Sequence, residues 1–345
     1  MNRLLIHAMV LFFIAGIGAL LQAQGRPYEG PDDPAGDIAA EREGYMTGNR
    51  IYLYFQNTTE LADWYENMEK TQFSRWPNTY EGMAMLDGVA LLIGAKVYID
   101  TIPEPGSDPP VYATPVTDPA EISSRTGLKN LYFLQTSYRE EMDTDPTGTI
   151  EYGFYPIFGY FDELSEYPAM SNRPESWPPQ GWPMPGYTTK WPGEWNGRFG
   201  RGVIYADLET FFTVNDAHDQ EYLGPEDRIK YYPRSGRYIG DLRPNVTIHK
   251  PRDDIKYPWG GIGVRVEQRG FQWNNPQARD AIFWEYTIAN ISDYDLPEVA
   301  FGYWVDNAIG GDSDDELGYF DTKVDMSYSW DIDGVGRGGR GPGIM

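Results

Sequence analysis

The sequence predicts an all-β protein: antiparallel β-sandwiches with long Pro-, Trp- and Gly-rich loops and few short helices. Three observations predict it. Aromatic residues make up 15% of the 345-residue chain, and they fall in runs where apolar side chains recur at every second position, the period of a strand with one buried face. Pro and Gly, 27 and 38 residues, crowd between those runs, where they end ladders and form turns. The intervals between strand-like runs in the second half are too short for the crossover helices of a parallel sheet.

The chain opens with Arg3, an apolar stretch over 4–21 broken only by His7, Gly16 and Gly18, and the small-residue site Leu21-Gln22-Ala23. This is the layout of a cleavable secretory signal at 1–23. No second apolar run of that length follows, so no membrane span is expected after cleavage. Residues 24–48 are polar and aperiodic and read as a flexible lead-in.

A first β domain is expected over 49–165. Ile51, Leu53 and Phe55 alternate with Tyr52 and Tyr54 as a strand, and Leu61, Trp64, Tyr65 and Met68 share one face of a short helix. The run VALLIGAKVYI at 89–99 reads as a strand covered on both faces. Proline density over 101–119 predicts a surface excursion without ladders, after which strands resume over 130–138 and 150–161. Residues 166–200, with Trp177, Trp182, Trp191 and Trp195 among Pro and Gly, are expected to connect two halves.

A second β-sandwich domain is expected over 201–333. After a strand at 207–214, Ile262, Val264 and Val266 alternate with Gly263, Arg265 and Glu267. Ile282, Trp284, Tyr286 and Ile288 then alternate with Phe283, Glu285 and Thr287, and Val299, Phe301, Tyr303 and Val305 with Ala300, Gly302 and Trp304. Short polar turns between these three strands predict one antiparallel leaf of a sandwich. The Gly-rich tail at 334–345 closes no strand, which predicts a chain continuing in a longer protein.

Charge and cysteine usage narrow the function. The chain has 28 Lys and Arg against 52 Asp and Glu; removing the signal takes Arg3 and leaves 27 against 52, a net charge near −25. Nucleic acid is excluded as a partner, because phosphate binding needs clustered cations, whereas such a field attracts divalent cations. With no cysteine, neither disulfides nor thiolate metal ligands are available. Only His218 and His249 remain after signal removal, and neither a Gly-x-Ser-x-Gly elbow nor a Gly-Lys-Ser/Thr phosphate loop occurs. No residue is assigned a catalytic role.

Two candidate sites remain. Asp306, Asp312, Asp314, Asp315, Glu316 and Asp321, with Asp325, Asp331 and Asp333 behind them, could supply the oxygen ligands of calcium; the competing reading is a solvated acidic loop. The EF-hand pattern is excluded, since Leu317 stands where it needs Gly and Lys323 where it needs Glu. A smaller polar run over 215–221 reads as a turn in preference to a second cation site. Trp177, Trp182, Trp191 and Trp195 could form a stacking platform for sugars, although indoles of this size more readily bury themselves over a core.

GNRIYLYFQN, DGVALLIGAKV, WPGEWNGRFG, ADLETFFTVNDAHDQE, GIGVRVEQRGFQW, DAIFWEYTIANIS and FGYWVDNAIGG resemble the amino-terminal region of large secreted β-rich proteins of Bacteroidota-like bacteria, which are similar to cargo of the type IX secretion system. The resemblance implies an extracellular or outer cell-surface location in a Gram-negative bacterium and brings no catalytic residues. The expected function is a secreted or cell-surface non-catalytic β module with a structural, adhesive or ligand-binding role, stabilised by calcium, with cell-surface components or polysaccharide as partners. The alternative is a polysaccharide-binding or polysaccharide-degrading module that uses the four tryptophans.

Overall fold

Alternating apolar residues need a layer to cover them, and this chain supplies it by packing two sheets face to face, antiparallel but for the short β-pairing of 229–230 with 111–112. The computed structural model describes residues 34–62, 74–103, 111–137, 153–183, 190–217, 229–230, 233–234, 259–311 and 316–336. The signal segment, the lead-in before residue 34, Trp64, Tyr65 and Met68 of the expected helix, the run from 218 to 221, Asp312, Asp314 and Asp315, and the tail beyond 336 lie outside these residues.

In chain order the strands are β1 (Glu43–Met46), β2 (Tyr52–Gln56), β3 (Ser74–Arg75), β4 (Leu86–Pro103), β5 (Val111–Pro115), β6 (Lys129–Gln135) and β7 (Tyr155–Pro156). They continue as β8 (Asn196–Gly197), β9 (Gly200–Arg201), β10 (Leu208–Asn215), β11 (Ile229–Lys230), β12 (Val264–Gln272) and β13 (Phe283–Asn290). β14 (Glu298–Asn307), β15 (Glu316–Asp321) and β16 (Met326–Asp331) end the described chain, and a short helix, α1 (Pro119–Ser124), follows β5. The all-β expectation holds.

One sheet is built on β4. Residues 93–96 pair with both β6 and β14, so these two strands occupy opposite edges of β4, and β5 follows β14 along the same edge with β11 beyond it. The other sheet has the order β13-β12-β10-β7. Between them lies the main core, with Leu91, Ile93, Val97 and Phe133 from the first sheet and Phe212, Val214, Val264 and Val266 from the second. Phe55 of β2 joins it, stacked on Phe212 at 6.0 Å and edge-on to Trp284 at 5.5 Å.

Several expectations are corrected here. The strand over 89–99 is covered more fully on one face than on the other: Leu91, Ile93, Ala95, Val97 and Ile99 are buried, whereas on the second face Ala90 is buried but Leu92, Lys96 and Tyr98 are half-buried. On that second face Glu298 accepts hydrogen bonds from Tyr98 Oη at 2.5 Å and Lys96 Nζ at 3.5 Å, a surface arrangement. The proline-rich stretch does not end the ladder. β4 and β5 pair as far as Pro103 opposite Val111 and Pro115 opposite Ile99, because proline at a ladder end forfeits few donors. Proline then starts α1 at Pro119, where the Asp118 carboxylate caps Ala120 N at 2.9 Å.

The lead-in is ordered from residue 34 onward. Ala35, Ala40 and Met46 are buried, Pro156 O accepts from Asp37 N at 2.9 Å, and β1 pairs with β2. The three strands expected as one leaf divide between the sheets: β12 and β13 pair, whereas β14 leaves for β4. The polar link between β13 and β14 is folded on itself, with Tyr294 O accepting from both Asn290 Nδ2 and Ser292 Oγ at 2.7 Å. That pairing crosses the expected boundary at 166–200, and the main core draws on both sides of it.

Candidate functional site

The tryptophan segment, offered by the sequence as a stacking platform, is folded inward. Trp182 and Trp195 are each 1% exposed and form a second core with Tyr160, Phe161 and Phe211, against which Trp177 and Trp191 pack. Trp195 lies 5.4 Å from Trp182, edge to face, and 5.6 Å from Trp177. Three indole N–H groups are bound internally: Trp177 to Met170 O at 2.7 Å, Trp182 to Glu194 O at 2.6 Å, and Trp195 to the Glu209 carboxylate at 2.6 Å. An exposed row for sugars is therefore not formed. An irregular loop carries no ladder to hold it down, so its largest side chains cover the outer face of the β10–β12 sheet instead.

Glu209 shows the same economy. Besides Trp195, its buried carboxylate accepts from Ala206 N at 2.9 Å and from Tyr205 N. Its neighbour Arg269 sits 3.9 Å over the Phe211 ring and donates to Asn196 O. Burial pushes that guanidinium down to about 10, against the attraction of Glu267, Glu209 and Glu285. These charges hold the tryptophan loop to the sheet.

Of the polar run over 215–221, Asn215 and Asp216 lie among the described residues and bind backbone N–H groups. Asn215 Oδ1 accepts from Gly36 N at 2.7 Å. Asp216 accepts from Ile262 N at 2.9 Å, Gly263 N at 3.1 Å and Val264 N at 2.9 Å, which fastens β10 to the start of β12. Burial nevertheless lifts the Asp216 carboxyl to about 7, the backbone N–H groups only partly opposing it.

Of the acidic candidates for calcium, Asp306 lies on β14 opposite Gly88, Glu316 begins β15, and Asp321 ends it. Asp321 Oδ1 accepts from Lys323 N at 2.8 Å and so shapes the turn into β16. Asp331 is buried and accepts from Asp333 N at 3.0 Å and Gly334 N at 2.9 Å, closing the base of the same hairpin. Among the described residues no group of three carboxylate or histidine side chains is placed to hold a metal ion.

What sequence reasoning missed lies around these acids. Val299, Phe301, Tyr303 and Val305 sit opposite Ala95, Ile93, Leu91 and Val89, so they extend the core face of β4. Yet Phe301 is 60% and Tyr303 53% exposed. Tyr286 of the second sheet reaches this strand, its ring 5.7 Å from that of Tyr303.

The β15–β16 hairpin repeats the pattern more cleanly. Leu317 opposes Trp330, Tyr319 opposes Tyr328, and Asp321 opposes Met326, which places five apolar side chains on one face. Gly318, Phe320, Ser327 and Ser329 lie on the other. Tyr328 packs at 5.6 Å from Tyr319 and 5.8 Å from Trp330. Still, Tyr319 is 55% exposed and Leu317, Met326 and Tyr328 are exposed with it. A two-stranded hairpin is marginal by itself, and neither β15 nor β16 pairs with another described strand. The signal was present in the alternation of Leu317, Tyr319, Met326, Tyr328 and Trp330, which acidic residues between them obscured.

Comparison with known proteins adds no relative: no family model, no curated protein and no solved structure matches the chain. No described helix is long and apolar enough to cross a membrane.

Proposed function

We propose that this chain is an exported, non-catalytic β module that acts by binding, in a structural or adhesive role, through the apolar faces of β14 and the β15–β16 hairpin. One observation carries the reading: a hairpin with a continuous aromatic face, backbone-paired within itself, leaves that face to solvent. Exposed apolar patches of several hundred Å² on soluble proteins mark interaction surfaces. Export rests on the 1–23 segment. Calcium belongs to this reading as an ion stiffening the stretch from Asp306 to Asp321, motivated by carboxylate density there.

The test replaces Tyr319, Tyr328 and Trp330 together by Ser and measures both melting and fluorescence of an apolar-surface dye. The wild-type chain should enhance the dye strongly and the triple variant severalfold less, with a melting midpoint changed by no more than about 2 °C, since the hairpin pairs with no other described strand. A collapse in the midpoint would show the face to be structural and end the proposal, as would undiminished dye fluorescence.

A further inference from the structure

We infer that Tyr319 and Tyr328 form a site of oxidative modification, where a one-electron oxidant joins the two rings into an intrachain dityrosine link that staples the β15–β16 hairpin; this goes beyond the binding role proposed above and does not depend on it. The two residues stand directly opposite each other in the ladder. Their ring centroids are 5.6 Å apart with the planes at 52°, and the residues are 55% and 45% exposed. Among the described residues this is the shortest separation of two tyrosine rings, and the other close pairs are less accessible. Tyr54, 5.7 Å from Tyr45, is fully buried. Tyr286, 5.7 Å from Tyr303, packs against the main core. Tyr45, with Tyr52 at 5.9 Å and Tyr167 at 6.5 Å, is half-buried, as are both of those partners.

The chemistry needs that proximity and an oxidant. Hydrogen peroxide acting through a haem peroxidase removes one electron and the phenolic proton from each tyrosine, and the two phenoxyl radicals carry part of their spin on the ring carbons ortho to oxygen. One carbon–carbon bond forms between these positions, and the hydrogen at each bonded carbon returns to its own phenol oxygen. The chain thereby loses two hydrogens in all, and the peroxide takes up two electrons and two protons to become two waters. The rings must close by about 1 Å, within the range of exposed side-chain motion, and they already hold the twist that two bonded rings with ortho hydroxyls keep. Cross-strand register holds the pair together, whereas two copies each at net charge −24 repel one another, which favours a link within the chain. The link also answers a structural need. A two-stranded hairpin is marginal by itself, β15 and β16 pair with no other described strand, and a chain without cysteine has no disulfide to close one. A cross-strand covalent bond restricts the opened hairpin as a disulfide does.

The test exposes the full chain to a haem peroxidase and limiting hydrogen peroxide, and reads dityrosine fluorescence, intact mass and the linked peptides. Wild type should lose two hydrogens and stay a single chain on a denaturing gel. Trypsin cuts after Lys323 and so separates the two residues, and the linked product should join the peptide ending at Lys323 to the one that follows it. Tyr319→Phe and Tyr328→Phe should each lower the fluorescence severalfold, whereas Tyr45→Phe, which breaks the close pairs with Tyr52, Tyr54 and Tyr167, should leave it nearly unchanged. Amide hydrogen exchange over 317–330 should slow severalfold in the linked chain. Fluorescence indifferent to Tyr328→Phe, a link confined to β16 between Tyr328 and its neighbour Trp330 at 5.8 Å, or linkage between chains only would overturn the site. Unchanged exchange in the linked chain would overturn the staple. Dye binding by the hairpin face is read on the unoxidised chain, so the binding role stands or falls separately.

Discussion

Asp216 is fully buried and tied to three successive backbone N–H groups, and its proton is coupled to folding. Burial raises its carboxyl from 3.8 to about 7, so the folded chain binds that proton more tightly than the unfolded one. The resulting stabilisation is complete below about pH 4, declines as pH rises, and levels off above about 7. Asp216→Asn removes the titration and turns an amide N–H₂ toward backbone donors, which should cost about 1–3 kcal/mol. The midpoint difference between wild type and variant should be larger at about pH 5 than at about pH 8. A difference independent of pH would show that the carboxylate stays ionised throughout. The turn role of this residue was legible, because Asn and Asp after a strand commonly bind backbone N–H groups. Its partners, some fifty residues ahead in the chain, were not.

At the scale of elements, two mid-strand glycines make contrasting predictions. Gly270 of β12 lies between Thr210 and Trp284 on neighbouring strands, and a Cβ there would approach Trp284 Cζ3 to 2.6 Å and Thr210 Cγ2 to 2.9 Å. The indole therefore lies across the glycine. Gly270→Ala should lower stability by about 1–3 kcal/mol through overpacking. Gly302→Ala on β14, where only Leu92 Cβ stands at 4.0 Å, should be neutral or slightly stabilising, since glycine weakens a strand interior. Thermal melts of the two variants check this, and equal losses would show that backbone freedom, not the indole, sets the cost. Strands β10, β12, β13 and β14 were legible from alternation because side-chain direction in a strand is local. That β14 crosses to β4 was not, because an antiparallel ladder constrains register with whichever edge is free.

Over the whole molecule, charge and layering set the behaviour. A net charge of −24 drives self-repulsion in the compact state and draws counter-ions. If calcium is bound by the stretch from Asp306 to Asp321, melting in calcium and in chelator should differ, by about 2.7 kcal/mol at a hundredfold excess over Kd. An unchanged midpoint removes calcium from the proposed role. The expected division into two β domains is crossed by the β4–β14 ladder and by a main core drawn from both halves. Unfolding should accordingly involve both together.

The sequence by itself determined that the chain is built from strands, which residues alternate, how acidic it is, and that no disulfide holds it, because each of these follows from residue type and short-range period. Tertiary structure alone decided which apolar faces are covered. Trp177, Trp182, Trp191 and Trp195 are drawn in over a sheet, while Phe301, Tyr303, Tyr319 and Tyr328 remain largely at the surface. The physical reason is that alternation marks a side chain as apolar without specifying the layer that removes it from water. That layer comes from segments distant in the chain, and where no described segment supplies it the face stays at the surface.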